Sequence, residues 1–309
     1  MSPRAIFVAM LLVALPSMAG AQVTYTTTTS ADAFLATGSP DNPTGSDLTG
    51  LNFGAAGTLA ISPPSADKGE FQSVLEFNLA DAVTLFNTTY GTNGWAVTAI
   101  TLQLASNFAT NGLQPNNPIF NVISGGNFVI EWLSTNGWPE GTGTPNLPTT
   151  DGVTYDSLPD FLSTDHQILC TNTYTPPGDN IYVTYPLPLN TNLVNEAANG
   201  GEVSLLFYAA DNQIGYLFNS HEFGRGNVPL INVTASPSLK ITSAYFTNGV
   251  FHLSGAGADN MQYQVQANTN LSTANWMIVG TVAADGSGII QFDDTNATGK
   301  VQKFYRLSQ

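Results

Sequence analysis

Residues 99–104, AITLQL, decide the fold class of this chain. Ile100, Leu102 and Leu104 are apolar, and they alternate with small or polar residues. The run 74–79, VLEFNL, alternates in the same way. A period of two is typical of a β-strand that buries one face. We therefore expect an all-β protein, with further strands at Gln22–Thr28, Thr58–Ile61, Phe71–Phe77, Trp95–Leu104, Phe128–Trp132, Ile181–Tyr185, Val203–Ala209 and Leu230–Thr234.

Helix is predicted in two short segments, Leu79–Phe86 and Asn192–Asn199. Asn190 or Asn192 caps the start of the second, and Gly200 ends it in the left-handed region. Three long loops are too long for hairpin turns, and in a sandwich such loops are functional or mobile. These loops are Gly38–Gly57, Asn111–Pro118 and Gly137–Pro148.

The C-terminal part, residues 238–309, has its own strand pattern. Tyr263, Val265 and Ala267 alternate with glutamines, and turn signals separate about six short strands in roughly 70 residues. Short strands at this regular spacing predict a small immunoglobulin-like or fibronectin type III-like β-sandwich. Ala235-Ser236-Pro237 marks the boundary, because proline cannot continue a strand ladder.

Charge separates the same two parts. Residues 22–237 contain two basic residues, Lys68 and Arg225, against 18 acidic ones, whereas residues 238–309 contain four of each. The long part therefore has a net charge near −16 and the short part is neutral. An acidic balance argues against nucleic acid and anionic membranes as partners.

The first 21 residues predict a secretory signal peptide. Arg4 supplies the positive start, Ala5 to Leu15 an apolar core, and Ala19-Gly20-Ala21 a small-residue cleavage site. The apolar core is shorter than the roughly 20 residues that span a bilayer, so no membrane insertion is expected. We expect a secreted or cell-surface protein. Its one cysteine, Cys170, is expected to be buried among apolar side chains.

Several short segments occur in one characteristic order between residues 24 and 235. They are Ser30-Ala31-Asp32-Ala33-Phe34, a loop with Asn52 and Gly54, Val74 to Leu79, Val97 to Leu104, Trp132, Trp138-Pro139-Glu140-Gly141-Thr142-Gly143, Gly152-Val153-Thr154-Tyr155, Val203 to Tyr208, Phe218-Asn219-Ser220-His221-Glu222-Phe223 and Pro229 to Val233. In this order they resemble the DNRLRE-type carbohydrate-binding modules, a family of secreted bacterial jelly-roll domains. The resemblance implies a jelly roll over residues 22–237 that binds carbohydrate.

The C-terminal part also carries a resemblance. Asn268 to Ser272, Trp276, Asp285 to Gly288 and Phe304 to Leu307 follow one another along it. This order is similar to an appendage of secreted proteins from Verrucomicrobia and Planctomycetes. We expect an accessory or anchoring module over residues 238–309, and the sequence shows no catalytic pattern in it.

Nucleophilic and zinc chemistry have little support. The chain has three histidines, His166, His221 and His252, and none lies near a Gly-x-Ser-x-Gly elbow. Zinc sites need three or four His or Cys ligands, and these spacings supply none. Paired carboxylates are the more serious catalytic hypothesis, with Glu131 and Glu140 as the acids of a carbohydrate-active enzyme. The alternative is that they cap turns or bind an ion.

Calcium is the expected ion, because long Asp/Asn/Gly loops supply hard oxygen ligands. Asp41 and Asp47 lie in one such loop, and Glu140 and Asp151 in another. Ordinary turn capping by Asp and Asn side chains is the competing interpretation.

Sugar binding by a jelly roll relies on aromatic faces and polar side chains in loops. The predicted ligand-binding residues are Trp138, Glu140, Tyr155, Tyr216 and His221. Aromatic rings in a sandwich are more often part of the core, which is the alternative for each. We expect a secreted, non-catalytic protein that binds polysaccharide or cell-surface glycan, with neutral glycans favoured by the acidic charge. The competing functions are an envelope or matrix structural protein without soluble ligand, and a glycan-active hydrolase or lyase.

Overall fold

The computed structural model describes residues 22–92, 94–108, 117–224, 226–297 and 302–308. The predicted signal peptide, residues 1–21, lies outside these ranges, as does most of the predicted loop Asn111–Pro118. In the described part, no helix has the length and apolar character needed to cross a membrane.

Antiparallel strands build the first two-thirds of the chain, so the predicted all-β fold class is confirmed. All eight strands predicted here are present, and three more accompany them. The strands are β1 (Val23–Thr28), β2 (Ala31–Ala36), β3 (Thr58–Ile61), β4 (Phe71–Asn78), β5 (Trp95–Ala105), β6 (Gly126–Leu133), β7 (His166–Tyr174), β8 (Tyr182–Leu187), β9 (Glu202–Ala209), β10 (Tyr216–Asn219) and β11 (Leu230–Pro237).

Two sheets form the jelly-roll sandwich. One has five strands in the order β2-β4-β9-β6-β7, and the other has four in the order β1-β11-β5-β8. Their facing sides share an aromatic core, in which the ring of Phe128 on β6 packs 5.2 Å from that of Tyr185 on β8. The short pair β10-β3 adds Tyr216, whose ring stacks on Tyr174 at 3.6 Å.

Strand β5 behaves as its alternation predicts. Ile100, Leu102 and Leu104 are buried, while Thr101 and Gln103 are half-buried on the opposite side. Strand β4 differs, because it is buried on both faces. The segment after β6 lies over the second face, where Trp138, Val153, Leu158 and Phe161 cover Val74 and Leu206. The expectation of one exposed face is therefore wrong for β4.

Helices are few, as expected. They are α1 (Ala80–Tyr90), α2 (Leu158–Leu162) and α3 (Thr191–Asn199), and α2 was not predicted. The Asn190 side chain caps α3 by accepting the Leu193 N–H at 2.8 Å, and Gly200 ends the helix with φ 70°. Two single 3₁₀ turns, Tyr155–Ser157 and His221–Phe223, complete the helical content of the described residues.

The C-terminal part is a second, smaller sandwich. Its strands are β12 (Lys240–Thr247), β13 (Val250–Ala256), β14 (Gln262–Asn268), β15 (Met277–Ala283), β16 (Ile289–Asp294) and β17 (Phe304–Ser308), which matches the six predicted. Sheets β12-β13-β16 and β15-β14-β17 enclose a core in which Phe251 stacks on Tyr305 at 3.9 Å. His252 bonds Asp293 at 2.7 Å and stacks on Tyr245.

The chain divides into two compact units. Among the described residues, one unit contains Thr24–Val83 and Ala99–Val233, and the other contains Gln22, Val23, Thr84–Thr98 and the residues from Thr234 onward. The division after Val233 falls close to the linker predicted at Ala235-Ser236-Pro237. The inclusion of Thr84–Thr98 in the second unit was not anticipated from the sequence.

Candidate functional site

Three carboxylates meet in the first unit. Asp32 lies on β2, Glu140 in the segment after β6, and Glu222 in the 3₁₀ turn His221–Phe223. Each offers an oxygen within 4.8 Å of the others, and this is the one such group of three potential metal ligands found among the described residues. We call Asp32, Glu140 and Glu222 the acid cluster. Asp32 is fully buried, Glu140 half-buried and Glu222 exposed.

Asn52 fixes the loop that carries Glu140. Its side-chain amide donates to the carbonyls of Glu140 at 2.7 Å and Val153 at 2.8 Å. Its carbonyl oxygen accepts the Gly54 N–H at 3.1 Å. Gly54 must be glycine here, since a Cβ would lie 2.1 Å from the Glu140 carbonyl oxygen. The loop is thus held by specific bonds to buried Asn52, which lies outside it.

Protein donors orient each carboxylate. Asp32 Oδ2 accepts the Thr29 hydroxyl at 2.8 Å and the His221 N–H at 2.9 Å. Glu140 Oε1 accepts the Asp32 N–H at 2.7 Å, and Glu222 Oε2 accepts the Ser220 hydroxyl at 3.1 Å. The other oxygen of Asp32, Oδ1, is buried and has no hydrogen-bond partner.

Electrostatics in the acid cluster disfavour negative charge. Burial raises the pKa of Asp32 well above its usual value, and the charge of Glu222 raises it further, against the bonds from His221 and Thr29. Burial also raises the pKa of Glu140, although the Asp32 N–H lowers it. A cation among these carboxylates would relieve the unfavourable charge.

A second feature is the uncharged sheet β1-β11-β5-β8. None of its four strands contains Asp, Glu, Lys, Arg or His, although the surrounding part of the chain is strongly acidic. Apolar alternates such as Ile231 and Tyr185 point into the core, so the polar alternates point outward. We call this outward surface the neutral face, formed by Thr26, Thr101, Gln103, Tyr182, Thr184 and Asn232.

Side chains of the neutral face bond one another across strands. Thr26 Oγ1 donates to Asn232 Oδ1 at 2.7 Å, and Asn232 Nδ2 donates to Thr101 Oγ1 at 3.2 Å. Gln103 Nε2 donates to Thr184 Oγ1 at 3.2 Å. These bonds hold hydroxyl and amide groups in fixed positions on a rigid sheet, without a formal charge.

Two predicted sugar-stacking rings are in the core, which corrects that prediction. Trp138 is 7% exposed and its indole N–H donates to Ser204 Oγ at 3.2 Å. Tyr216 is 0% exposed, between Tyr174 and Phe128. Neither ring presents a face to solvent, because Trp138 packs with the rest of its segment against the five-stranded sheet and Tyr216 lies among the rings of the core.

The other predicted binding residues fall in two places. Tyr155 is half-buried against the cluster that contains Trp138, and its hydroxyl donates to Glu70 Oε2 at 2.7 Å. His221 is exposed beside the acid cluster, with Nδ1 3.4 Å from Glu222 Oε1. Glu140 belongs to the acid cluster itself. The structure therefore brings Glu140 and His221 together and leaves Tyr155 elsewhere.

The predicted calcium ligands Asp41, Asp47 and Asp151 belong to no group of three potential metal ligands among the described residues. Asp47 Oδ1 accepts the N–H and hydroxyl of Thr49, and Asp151 accepts both hydroxyls of Thr142 and Thr149. The Asp41 carbonyl receives the Lys68 ammonium. Bonds to neighbouring threonines are the turn-capping role that was the competing interpretation.

The two proposed catalytic acids bond different partners. Glu131 is buried, and its Oε1 bonds His166 Nδ1 at 2.6 Å. Glu140 contacts Asp32 instead. Sequence reasoning did not single out Asp32 or Glu222 as site residues, although both lie in the segments that carry the family resemblance. Their convergence depends on sequence separations of more than 80 residues, which no local pattern reveals.

No family model matches the chain, and neither does any curated protein. Solved structures show weak similarity. The Mud crab tombus-like virus structure is 10% identical with a TM-score of 0.25, covering 77% of this chain and 94% of that one. The structure of Bifidobacterium dentium beta-glucuronidase complexed with coumarin-3-O-glucuronide is 8% identical with a TM-score of 0.23. This match covers 94% of this chain and 49% of that one. We draw no conclusion on fold or function from TM-scores this low.

Proposed function

We propose that this protein is secreted or held at the cell surface, where it binds neutral polysaccharide through the neutral face without cleaving it. One observation carries the proposal. An acidic part of the chain with 18 carboxylates keeps all four strands of one sheet free of charge. The second sandwich serves as an accessory or anchoring module.

A neutral face suits a neutral glycan on energetic grounds. A sugar that covers a charged side chain displaces water from it, and the sugar hydroxyls solvate the charge less well than water does. Protein hydroxyl and amide groups exchange hydrogen bonds with water for hydrogen bonds with the sugar at a small free-energy cost. Because cross-strand bonds already fix Thr101, Gln103 and Asn232, little side-chain freedom is lost on binding. Tyr182 lies two residues from Thr184 on β8 and adds one ring to the same side.

Retention on gels containing neutral polysaccharides, with acidic polysaccharides alongside, tests the proposal. We expect retention on at least one neutral polymer. Gln103→Glu places a charge on the neutral face and should weaken retention by about three- to tenfold. Gln213→Glu is the matched control, because Gln213 is exposed in the loop before β10.

Two results would contradict the proposal. One is the absence of wild-type retention on every neutral polymer, and the other is equal retention by both glutamate variants. In the first case, loss of cell-surface fractionation on deleting residues 238–309 would favour the structural function in the envelope or matrix.

Hydrolysis is the second candidate function, and the spacing of the acid cluster favours it. Retaining glycosidases hold two carboxyl groups roughly 5 Å apart, and the oxygens of Glu140 and Glu222 lie within 4.8 Å. Release of reducing ends from a polysaccharide, abolished by Glu222→Gln, would establish this function. Binding without release of reducing ends would support the non-catalytic one.

A further inference from the structure

We propose that the acid cluster binds one calcium ion. Asp32, Glu140 and Glu222 supply the carboxylate ligands, and water completes the coordination from the exposed side of Glu222. This proposal does not rest on polysaccharide binding, because the neutral face shares no residue with the acid cluster.

The unpartnered oxygen of Asp32 is the independent observation. Asp32 Oδ1 is buried without a hydrogen-bond partner, although buried polar atoms are nearly always bonded. Leaving such an oxygen unbonded costs about 1 to 3 kcal/mol, and more for a charged group. The two donors that bond this carboxylate, the Thr29 hydroxyl and the His221 N–H, both bond Oδ2. A cation bound by the acid cluster would supply the partner that Oδ1 lacks.

The chemistry of the ligands selects a hard cation. All three are carboxylates, and calcium prefers oxygen ligands. Calcium–oxygen bonds are about 2.3–2.6 Å long, so ligands on opposite sides of the ion are about 5 Å apart. The cluster oxygens lie within 4.8 Å of one another and can therefore contact one calcium ion. Magnesium bonds of about 2.0–2.1 Å need a tighter, octahedral arrangement.

A bound ion would join three distant segments of the first unit. Strand β2, the loop held by Asn52, and the turn His221–Phe223 each contribute one ligand. Glu140 lies in the same segment as Trp138 and Val153, whose side chains cover the five-stranded sheet. Calcium binding should therefore stabilise the covering segment as well as the cluster itself.

Isothermal titration of the chelator-treated protein with CaCl₂ tests the site directly. We expect a stoichiometry of one calcium ion per chain and weaker binding of magnesium in a titration with MgCl₂. In thermal unfolding, the melting temperature should rise with calcium concentration and then reach a plateau. Asp32→Asn should weaken calcium binding at least about tenfold, because loss of even a residue that only orients a metal ligand costs that much. Glu222→Gln is the second variant, and its exposed position makes it the safer one for folding.

Asp47→Asn is the matched control and should bind like the wild type, since Asp47 is an exposed turn cap. The proposal is overturned if the wild type binds no calcium, or if both cluster variants bind it as tightly as the wild type does. Retention on neutral polysaccharide, measured with chelator present, reports separately on the neutral face. Absence of calcium binding alone contradicts the calcium proposal, and absence of polysaccharide retention alone contradicts the proposed function.

Discussion

Asp294 is a buried acidic residue at the end of strand β16 in the small sandwich. Its Oδ2 accepts the Tyr305 hydroxyl at 2.8 Å and the Lys303 ammonium, and its Oδ1 accepts the Asn296 N–H at 2.8 Å. Burial alone would raise the pKa of Asp294, but these bonds outweigh it and lower the pKa below 3.8. A carboxyl group with a lowered pKa in the folded state favours folding when it is ionised.

Asp294→Asn should therefore destabilise the second unit by about 3 kcal/mol at pH 7, because Lys303 loses its buried partner. The sign follows from linkage: the stabilisation is fully present above the unfolded pKa near 3.8, and it is lost as pH falls through the lower folded value. Urea unfolding of wild type and variant at several pH values measures the difference. A difference that stays constant from pH 6 to pH 3 would contradict this account.

Trp138 contributes to stability through its burial against Phe161 and its bond to Ser204. Trp138→Ala removes a buried indole and should cost about 3 to 5 kcal/mol of unfolding free energy. Retention of the folded variant on neutral polysaccharide should match the wild type. Tyr182→Ala provides the contrast, with weaker retention and a smaller change in stability. Loss of retention with unchanged stability in Trp138→Ala would restore the predicted stacking role.

Some site residues were predictable from their immediate neighbours and others were not. Glu140 and His221 lie in polar loops, and that setting made them candidates. Asp32 follows Ala31 in a segment that is buried throughout, where an ionisable residue gives no local sign of its partners. Trp138 lies between glycine and proline, which predicts exposure. The layer that buries it comes from residues up to 23 positions further along.

At the scale of elements, alternation predicted the strands with one polar face. Strand β5 is the clearest case. Three strands were missed, and two of them, β2 and β10, are buried along their whole length, so their sequences show no alternation of apolar and polar residues. Helix α2 was missed because its five residues are too few to show a helical period. The small sandwich was predicted well, since its strands are short and turns separate them.

The start of helix α3 gives a prediction at the same scale. The sequence left two capping residues open, and the structure assigns the role to Asn190 through its bond to the Leu193 N–H. Asn190→Ala should cost about 1 kcal/mol of stability. Asn192→Ala is the control, because Asn192 is exposed inside the helix and alanine favours helix there. Urea unfolding measures the free energy of unfolding of both variants. A larger decrease for Asn192→Ala than for Asn190→Ala would assign the cap to Asn192 instead.

Charge acts at the scale of the whole molecule. The net charge of −15 comes from the part of the chain that contains the neutral face and the acid cluster. Acidic side chains at a distance from the neutral face repel a polyanion but leave a neutral polymer unaffected. On the proposed function, charge would select which glycans approach, and the neutral face would supply the short-range hydrogen bonds. If the acid cluster binds calcium as proposed, a shared calcium ion would give a polyanion one route to binding.

Salt dependence separates these contributions. Raising NaCl from about 0.05 M to about 0.5 M shortens the screening length severalfold, so long-range repulsion weakens. Retention on a neutral polysaccharide should change less than about twofold over this range, because no ion pair with the ligand is broken. A polyuronate should not be retained at low salt unless calcium is added, and Glu222→Gln should remove that calcium effect. Strong calcium-free retention of a polyuronate at low salt would contradict the charge argument, because it would require a basic surface.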